Sequence, residues 1–168
     1  MTEDTSKHYD LKPMLWIFLI FIFLLPVIIP RILNPPYTQG IKIQVLNKFR
    51  KCFIAMLEYI DENKKYPSAE NWQDILLPYL DNRKDAFELP TKVDTINTIA
   101  LNPFADINSS NDIVLLFEST GGWNGHGQSE LLAPTSNGRP GCFVLFNDGS
   151  TKFIAPEKIK DLNWGNKP

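Results

Sequence analysis

The sequence predicts an α+β protein, in which an N-terminal transmembrane helix carries a domain built from one long amphipathic helix packed on a small antiparallel β-sheet. Three features point that way. Pro13–Pro30, PMLWIFLIFIFLLPVIIP, is eighteen residues without a charge. From Ile41 to Glu62 apolar residues recur at three- and four-residue spacing, the period of a helix with one buried face. Near the C-terminus, Asp148-Gly149 separates two β-prone runs, Cys142–Phe146 and Thr151–Ile154, which is the pattern of a hairpin.

Residues 1–12 are read as a short tail and 13–33 as the span. At ~1.5 Å per residue the uncharged run reaches roughly 27 Å, just under the ~30 Å hydrocarbon layer, so it crosses once with little tilt. A cleaved secretory signal is the competing reading. Against it, the apolar core Met14–Ile29 is long, and Pro30-Arg31 stands where a cleavage site needs small residues. The lipid bilayer is therefore the first expected partner. Lys7 and Lys12 on one flank and Arg31, Lys42, Lys48 and Arg50 on the other mildly favour a cytoplasmic domain. Long domains cross regardless of such charges, so charge alone leaves the orientation open.

The domain spans 34–168, about 135 residues, enough for one core. From Arg31 onward 15 Lys and Arg face 16 Asp and Glu, with no basic stripe, so nucleic acid is not an expected partner. Cys52 and Cys142 lie ninety residues apart without a C-x-x-C or a neighbouring His, which indicates neither zinc nor a thioredoxin-type site. Two buried free thiols are expected, with one disulfide as the alternative in an oxidising compartment. No cofactor is expected.

Asn34-Pro35-Pro36 breaks the first helix. A second then runs over about 41–63, with Leu46, Phe49, Phe53, Met56, Leu57 and Ile60 as its buried stripe and Lys42, Lys48, Arg50, Lys51, Glu58 and Asp61 largely off it. Past Tyr66-Pro67, Ser68 offers an N-cap and Glu70 an acid beside the helix dipole, which predicts a short helix over about 69–77, ended by Pro78. Asp81–Asn111 reads as irregular, with one strand near Thr98–Leu101. Ile113–Phe117 is apolar throughout and suits a strand covered on both faces, closed by Glu118. Thr120–Gly127 holds four glycines and forms a long loop that lacks the Gly-Lys-Ser/Thr of a phosphate loop. Asp148-Gly149 predicts a two-residue type I′ turn. The sheet is expected within 98–155, its apolar face over the helix stripe, and Pro156 starts a last short helix ending near Trp164.

Chemistry has few residues to draw on. Of the two histidines only His126 lies in the domain; with Cys52 or a serine and Glu118 or Asp148 it is the one candidate catalytic constellation. Neither G-x-S-x-G nor H-E-x-x-H accompanies it, so a solvated loop histidine is the ordinary account and no enzyme is expected. Glu118, Asn124 and Asp148 are candidate oxygen ligands for calcium, which wants clustered hard donors. Trp123 and His126 mark Thr120–Glu130 as a contact loop.

The order anchor, EYIDENKKYPSAENW, DILLPYL, IVLLFESTGGWN and FVLFNDGSTKFI resembles prepilin-type, pilin-like proteins with a C-terminal H-x9-D-G pattern, from about Ile41 to Trp164. Asp148-Gly149 matches the Asp-Gly of that pattern, and the Trp72 and Glu118 segments match shorter landmarks. The histidine position is Gly138, and Leu89-Pro90 stands where Cys-Pro is often found. YDLKPMLW lacks the Gly-Phe-Thr-Leu-x-Glu read by a prepilin peptidase, so the tail is expected to stay uncleaved. The resemblance implies a type IV pilin or type II secretion pseudopilin architecture: a single-pass protein of the cytoplasmic (inner) membrane with its domain on the outer face. It also implies a structural or interaction role among secretion or pilus-type membrane subunits of the bacterial envelope. The alternatives are a membrane-tethered hydrolase using His126 and a tethered ligand-binding module working through loop 120–130.

Overall fold

The computed structural model describes residues 39–90, 97–136 and 138–165. The tail and span expected over 1–33 lie outside the described residues; among those described, no helix is long and apolar enough to cross a membrane. Gln39–Pro168 forms one compact unit.

Helix α1, Gln39–Asn63, buries Val45, Phe49, Cys52, Ala55, Met56 and Ile60 along one face. It ends where Lys64 turns left-handed (φ 59°) and its N–H donates to Ile60 O at 2.7 Å. Of the expected stripe, Phe49, Met56 and Ile60 are buried, whereas Leu46 and Phe53 are only half-buried and Leu57 is 47% exposed. The small residues Cys52 and Ala55 share the buried face, and Cys52 Sγ sits 3.8 Å from Ala86 O. Counting large apolar side chains misses them.

The predicted helix over 69–77 is instead a 3-10 turn, Ala69–Asn71, then the short helix α2, Trp72–Leu76, then a second 3-10 turn, Leu77–Leu80. Ser68 makes no capping bond. Pro78 does not stop the chain, because its fixed φ suits the first turn of the new segment; Asp81 (φ 54°) and Asn82 (φ 57°), both left-handed, end it. A third 3-10 turn, Lys84–Phe87, leads into β1, Glu88–Leu89.

The main sheet has five antiparallel strands in the order β1-β2-β3-β6-β7, with β2 at Asn97–Leu101, β3 at Val114–Ser119, β6 at Cys142–Phe146 and β7 at Thr151–Ile154. A separate two-stranded ribbon pairs β4, Thr135–Ser136, with β5, Arg139–Pro140. The sheet starts ten residues before the expected 98 because Glu88 and Leu89 pair with Thr98 and Asn97. β3 is central and all six of its residues are buried, as its uninterrupted apolar run predicts for a strand covered on both faces. A bulge between Val114 and Leu116 shifts its pairing with β6.

Ala100, Val114, Phe117, Cys142, Val144 and Trp164 form one apolar cluster, against which Leu131, Leu132 and Leu162 pack. Trp164 meets Phe117 edge-on at 5.2 Å between ring centroids. The last helix is 3-10 and stops at Asp161, with Pro156 in its first turn as expected, and the chain beyond it inserts Trp164 into this cluster.

The β6–β7 hairpin is present, but its turn differs from the expected type I′. Leu145 pairs with Thr151, Phe146 N–H donates to Ser150 O, and Gly149 N–H donates to Phe146 O, both at 2.9 Å. That leaves a three-residue loop, Asn147-Asp148-Gly149, in which Gly149 (φ 80°) has positive φ and Asp148 does not. Asp148 serves the turn through its side chain, whose Oδ1 accepts from Ser150 N–H at 2.8 Å.

Candidate functional site

The glycine-rich loop after β3 is not a free excursion; it is bolted to α2. A helix of five residues has few internal bonds, and its first N–H groups need outside acceptors. Asn71, the residue before it, makes no side-chain cap. Asn124 supplies that acceptor from the loop: its Oδ1 takes Gln73 N–H at 2.9 Å and Asp74 N–H at 3.4 Å. In return, Gln73 Oε1 accepts Asn124 N–H at 2.5 Å. Asn124 reaches this place in a left-handed conformation (φ 55°), which asparagine tolerates better than most side chains.

Its neighbours complete the joint. Trp72 Nε1 donates to Gly125 O at 3.0 Å and Gln73 Nε2 to Ile99 O at 2.9 Å, both buried. Asp74 accepts from Trp123 Nε1 at 3.0 Å and from Asn124 Nδ2 at 2.5 Å. Those hydrogen bonds, Asn124 first and then Trp123, hold its carboxyl below the usual carboxylate value. Trp123 is 38% exposed, stands edge-on to Phe87 at 5.5 Å, and has Lys84 Nζ 4.9 Å from its ring centroid. The outcome is a loop tied to α2 at several points, with a partly exposed aromatic ring at its edge.

His126 is exposed on this loop, its Nδ1 3.0 Å from Asn124 O. Among the described residues it has no hydrogen bond to Cys52, a serine, Glu118 or Asp148. The calcium candidates also go separate ways. Glu118 is 1% exposed at the end of β3, where Oε1 accepts from Asn97 Nδ2 at 2.9 Å and Oε2 from Phe143 N–H at 3.1 Å. Burial pushes its carboxyl up, against the pull of these two donors. Asn124 is spent on α2, and Asp148 on the β6–β7 turn. Among the described residues no group of three or more His, Cys, Asp and Glu is placed to hold a metal ion.

Trp72, Gln73 and Asp74 carry no local sequence signal of the joint they make with the loop. Trp72 was visible as a large aromatic at the start of a short helix, but nothing local marks Gln73, a fully buried amide, as the partner of a loop 51 residues away.

A groove of about 370 Å³ opens between α1 and the Tyr79–Ala86 segment. Ile54, Leu80 and Tyr79 line it with Lys48, Lys51 and Arg83 at its polar rim. Arg83 is paired to Asp85 at 2.9 Å, and Lys48 donates to Asp85 O. Both cysteines are buried and free, and burial raises each thiol to about 12.

Compared with protein-family models, curated proteins and solved structures, the chain matches none.

Proposed function

We propose that this protein is a membrane-anchored, pilin-like structural or interaction component of a bacterial secretion or pilus-type envelope assembly, and that it works by binding. In this reading it passes once through the cytoplasmic membrane and carries its domain on the outer face. The observation that carries the proposal is the construction of α1. It follows an uncharged run of eighteen residues after only a short link. It seats one apolar stripe within the domain and leaves Ile43, Ile54 and Leu57 exposed on the other side. A helix with apolar side chains on two opposite faces suits a part that is built into something larger.

Solubilising native membranes in mild detergent and capturing the protein after brief cross-linking tests this. Secretion or pilus-type membrane subunits should be captured with it. Recovery of the protein alone, or only with soluble enzymes, would overturn the proposal.

The ligand-binding alternative draws on one specific feature, the fixed and partly exposed Trp123 ring beneath Lys84. In that reading the same loop, 120–130, is the contact surface and the anchor only tethers it.

A further inference from the structure

We propose that the outer face of the N-terminal half of α1 docks on an anionic lipid surface. This rests on the anchor reading above and adds a lipid specificity to it.

The face is set by helical geometry. Ile43, Asn47, Arg50, Ile54, Leu57 and Asp61 follow one another at spacings of four and three, so they share one side of the helix. That side is opposite the buried stripe. Ile43 is 55% exposed, Ile54 44% and Leu57 47%; exposed Arg50 lies among them, with exposed Lys51 on the flank toward the groove and Lys42 on the other flank.

The charges along α1 are arranged against its own stability. Helices favour acids in the first turn and bases in the last, where they complement the backbone dipole. Here the first turn has no acid and the last no base. Lys42, Lys48, Arg50 and Lys51 all lie in the N-terminal half, and no acid occurs from Gln39 to Leu57; Glu58, Asp61 and Glu62 crowd the far end. An arrangement unfavourable to the isolated helix points to an outside anionic partner.

Chain length identifies that partner. Only residues 31–38 separate Pro30 from Gln39, and eight residues span at most roughly 29 Å when fully extended. In the anchor reading such a link leaves the basic half of α1 within reach of the lipid surface. Cationic side chains with interspersed apolar ones are the features with which helices lie in an interface of anionic lipid. A second copy fits less well. Side by side in parallel it would set Arg50 against its own counterpart, and antiparallel it would direct the two tethers to opposite ends.

The acids define the limits of contact. Glu58, Asp61 and Glu62 keep the C-terminal end of α1 off an anionic surface, so the helix meets it at a tilt. Along the adjoining groove, Asp85 is neutralised by Arg83, whereas Asp81 opposes deep entry of a headgroup beside Lys51.

The test uses the full chain reconstituted into vesicles of phosphatidylcholine, with or without phosphatidylglycerol. A fluorophore is placed on Ile43→Cys or, separately, on Ile54→Cys; the native thiols are buried. Quenching by headgroup spin-labelled lipid then reports contact. We expect quenching in the anionic vesicles that is lost in phosphatidylcholine alone and in molar salt. R50Q/K51Q should weaken the contact roughly 25-fold, about fivefold for each basic side chain near such a surface, while K158Q/K160Q leaves it unchanged. Equal quenching in both vesicle types, an equal effect of the two double variants, or quenching that rises with protein-to-lipid ratio would overturn the proposal, the last in favour of a second copy. Alkaline carbonate washing of the same vesicles reports the anchor separately. Release of the protein would defeat the anchor reading, while the quenching measured before the wash still judges α1.

Discussion

Asn124 and Gln73 cap one another across 51 residues of chain: the Asn124 side chain accepts the Gln73 backbone N–H, and the Gln73 side chain accepts the Asn124 backbone N–H. Within a single helix start this reciprocity is a capping box, which satisfies two otherwise orphaned donors at once. Here it joins two distant segments and makes a five-residue helix and a glycine-rich loop depend on each other.

Replacing Asn124 therefore affects both elements. Asn124→Ala should destabilise the Gln39–Pro168 unit by about 1–2 kcal/mol, through loss of the cap and the strain of alanine at positive φ. Asn124→Gly, which relieves the strain, should recover part of that. Urea denaturation of both variants is the check, and an Asn124→Ala midpoint corresponding to less than ~0.5 kcal/mol would mean that the joint contributes nothing.

At the other end of the sheet, Gly149 has φ 80°, and a Cβ built there would lie 2.6 Å from the Phe53 ring. Gly149→Val should cost more than ~2 kcal/mol, since a β-branched residue resists positive φ and cannot avoid the ring. Phe53→Ala in the same chain should recover only the steric part. Thermal melting that finds Gly149→Val unchanged would remove the three-residue turn from the account.

These two joints show what could be read in the sequence. Helix α1 and the β6–β7 hairpin were legible because period and turn residues are local signals. The turn type was not, because it depends on whether Asn147 or Phe146 stands opposite Ser150 at the end of the ladder. The buried stripe of α1 was misjudged where Cys52 and Ala55, weak signals of burial, share the buried face and Leu57 does not. Strand β1 has two residues and exists only through its pairing with β2. At the candidate site, Trp123 and Asn124 were singled out, but for contact and calcium; the partner that gives them a structural role lies on another element.

Asp74 makes the loop joint sensitive to acid. Its folded carboxyl titrates below the ordinary 3.8, so the folded state binds that proton less readily than the unfolded chain. Its contribution is complete above the ordinary value and is lost as pH falls through the lower, folded one. Trp123 emission, obtained as the difference from Trp123→Phe, should change over that acid window and should not do so in Asp74→Asn. A step of equal size in Asp74→Asn would assign the acid response to another group.

The cysteines should be chemically silent in the folded protein. With both thiols raised to about 12, the reactive thiolate at pH 8 is roughly 10⁻⁴ of the total. Ellman's reagent should leave native protein unmodified for hours and titrate both thiols once urea unfolds it. Rapid modification of the native protein, or two missing thiols after unfolding, would contradict free buried cysteines.

The proposed place in an envelope assembly requires the run Pro13–Pro30 to hold the domain to a membrane, and alkaline carbonate extraction of native membranes tests that most directly. The unmodified protein should stay in the membrane pellet. Leu19→Arg, which places a charge at mid-span at a cost of about 2.5–3.5 kcal/mol, should shift it to the wash. An unmodified protein that washes off with peripheral proteins would contradict the anchor and, with it, the proposed place of this protein in an envelope assembly.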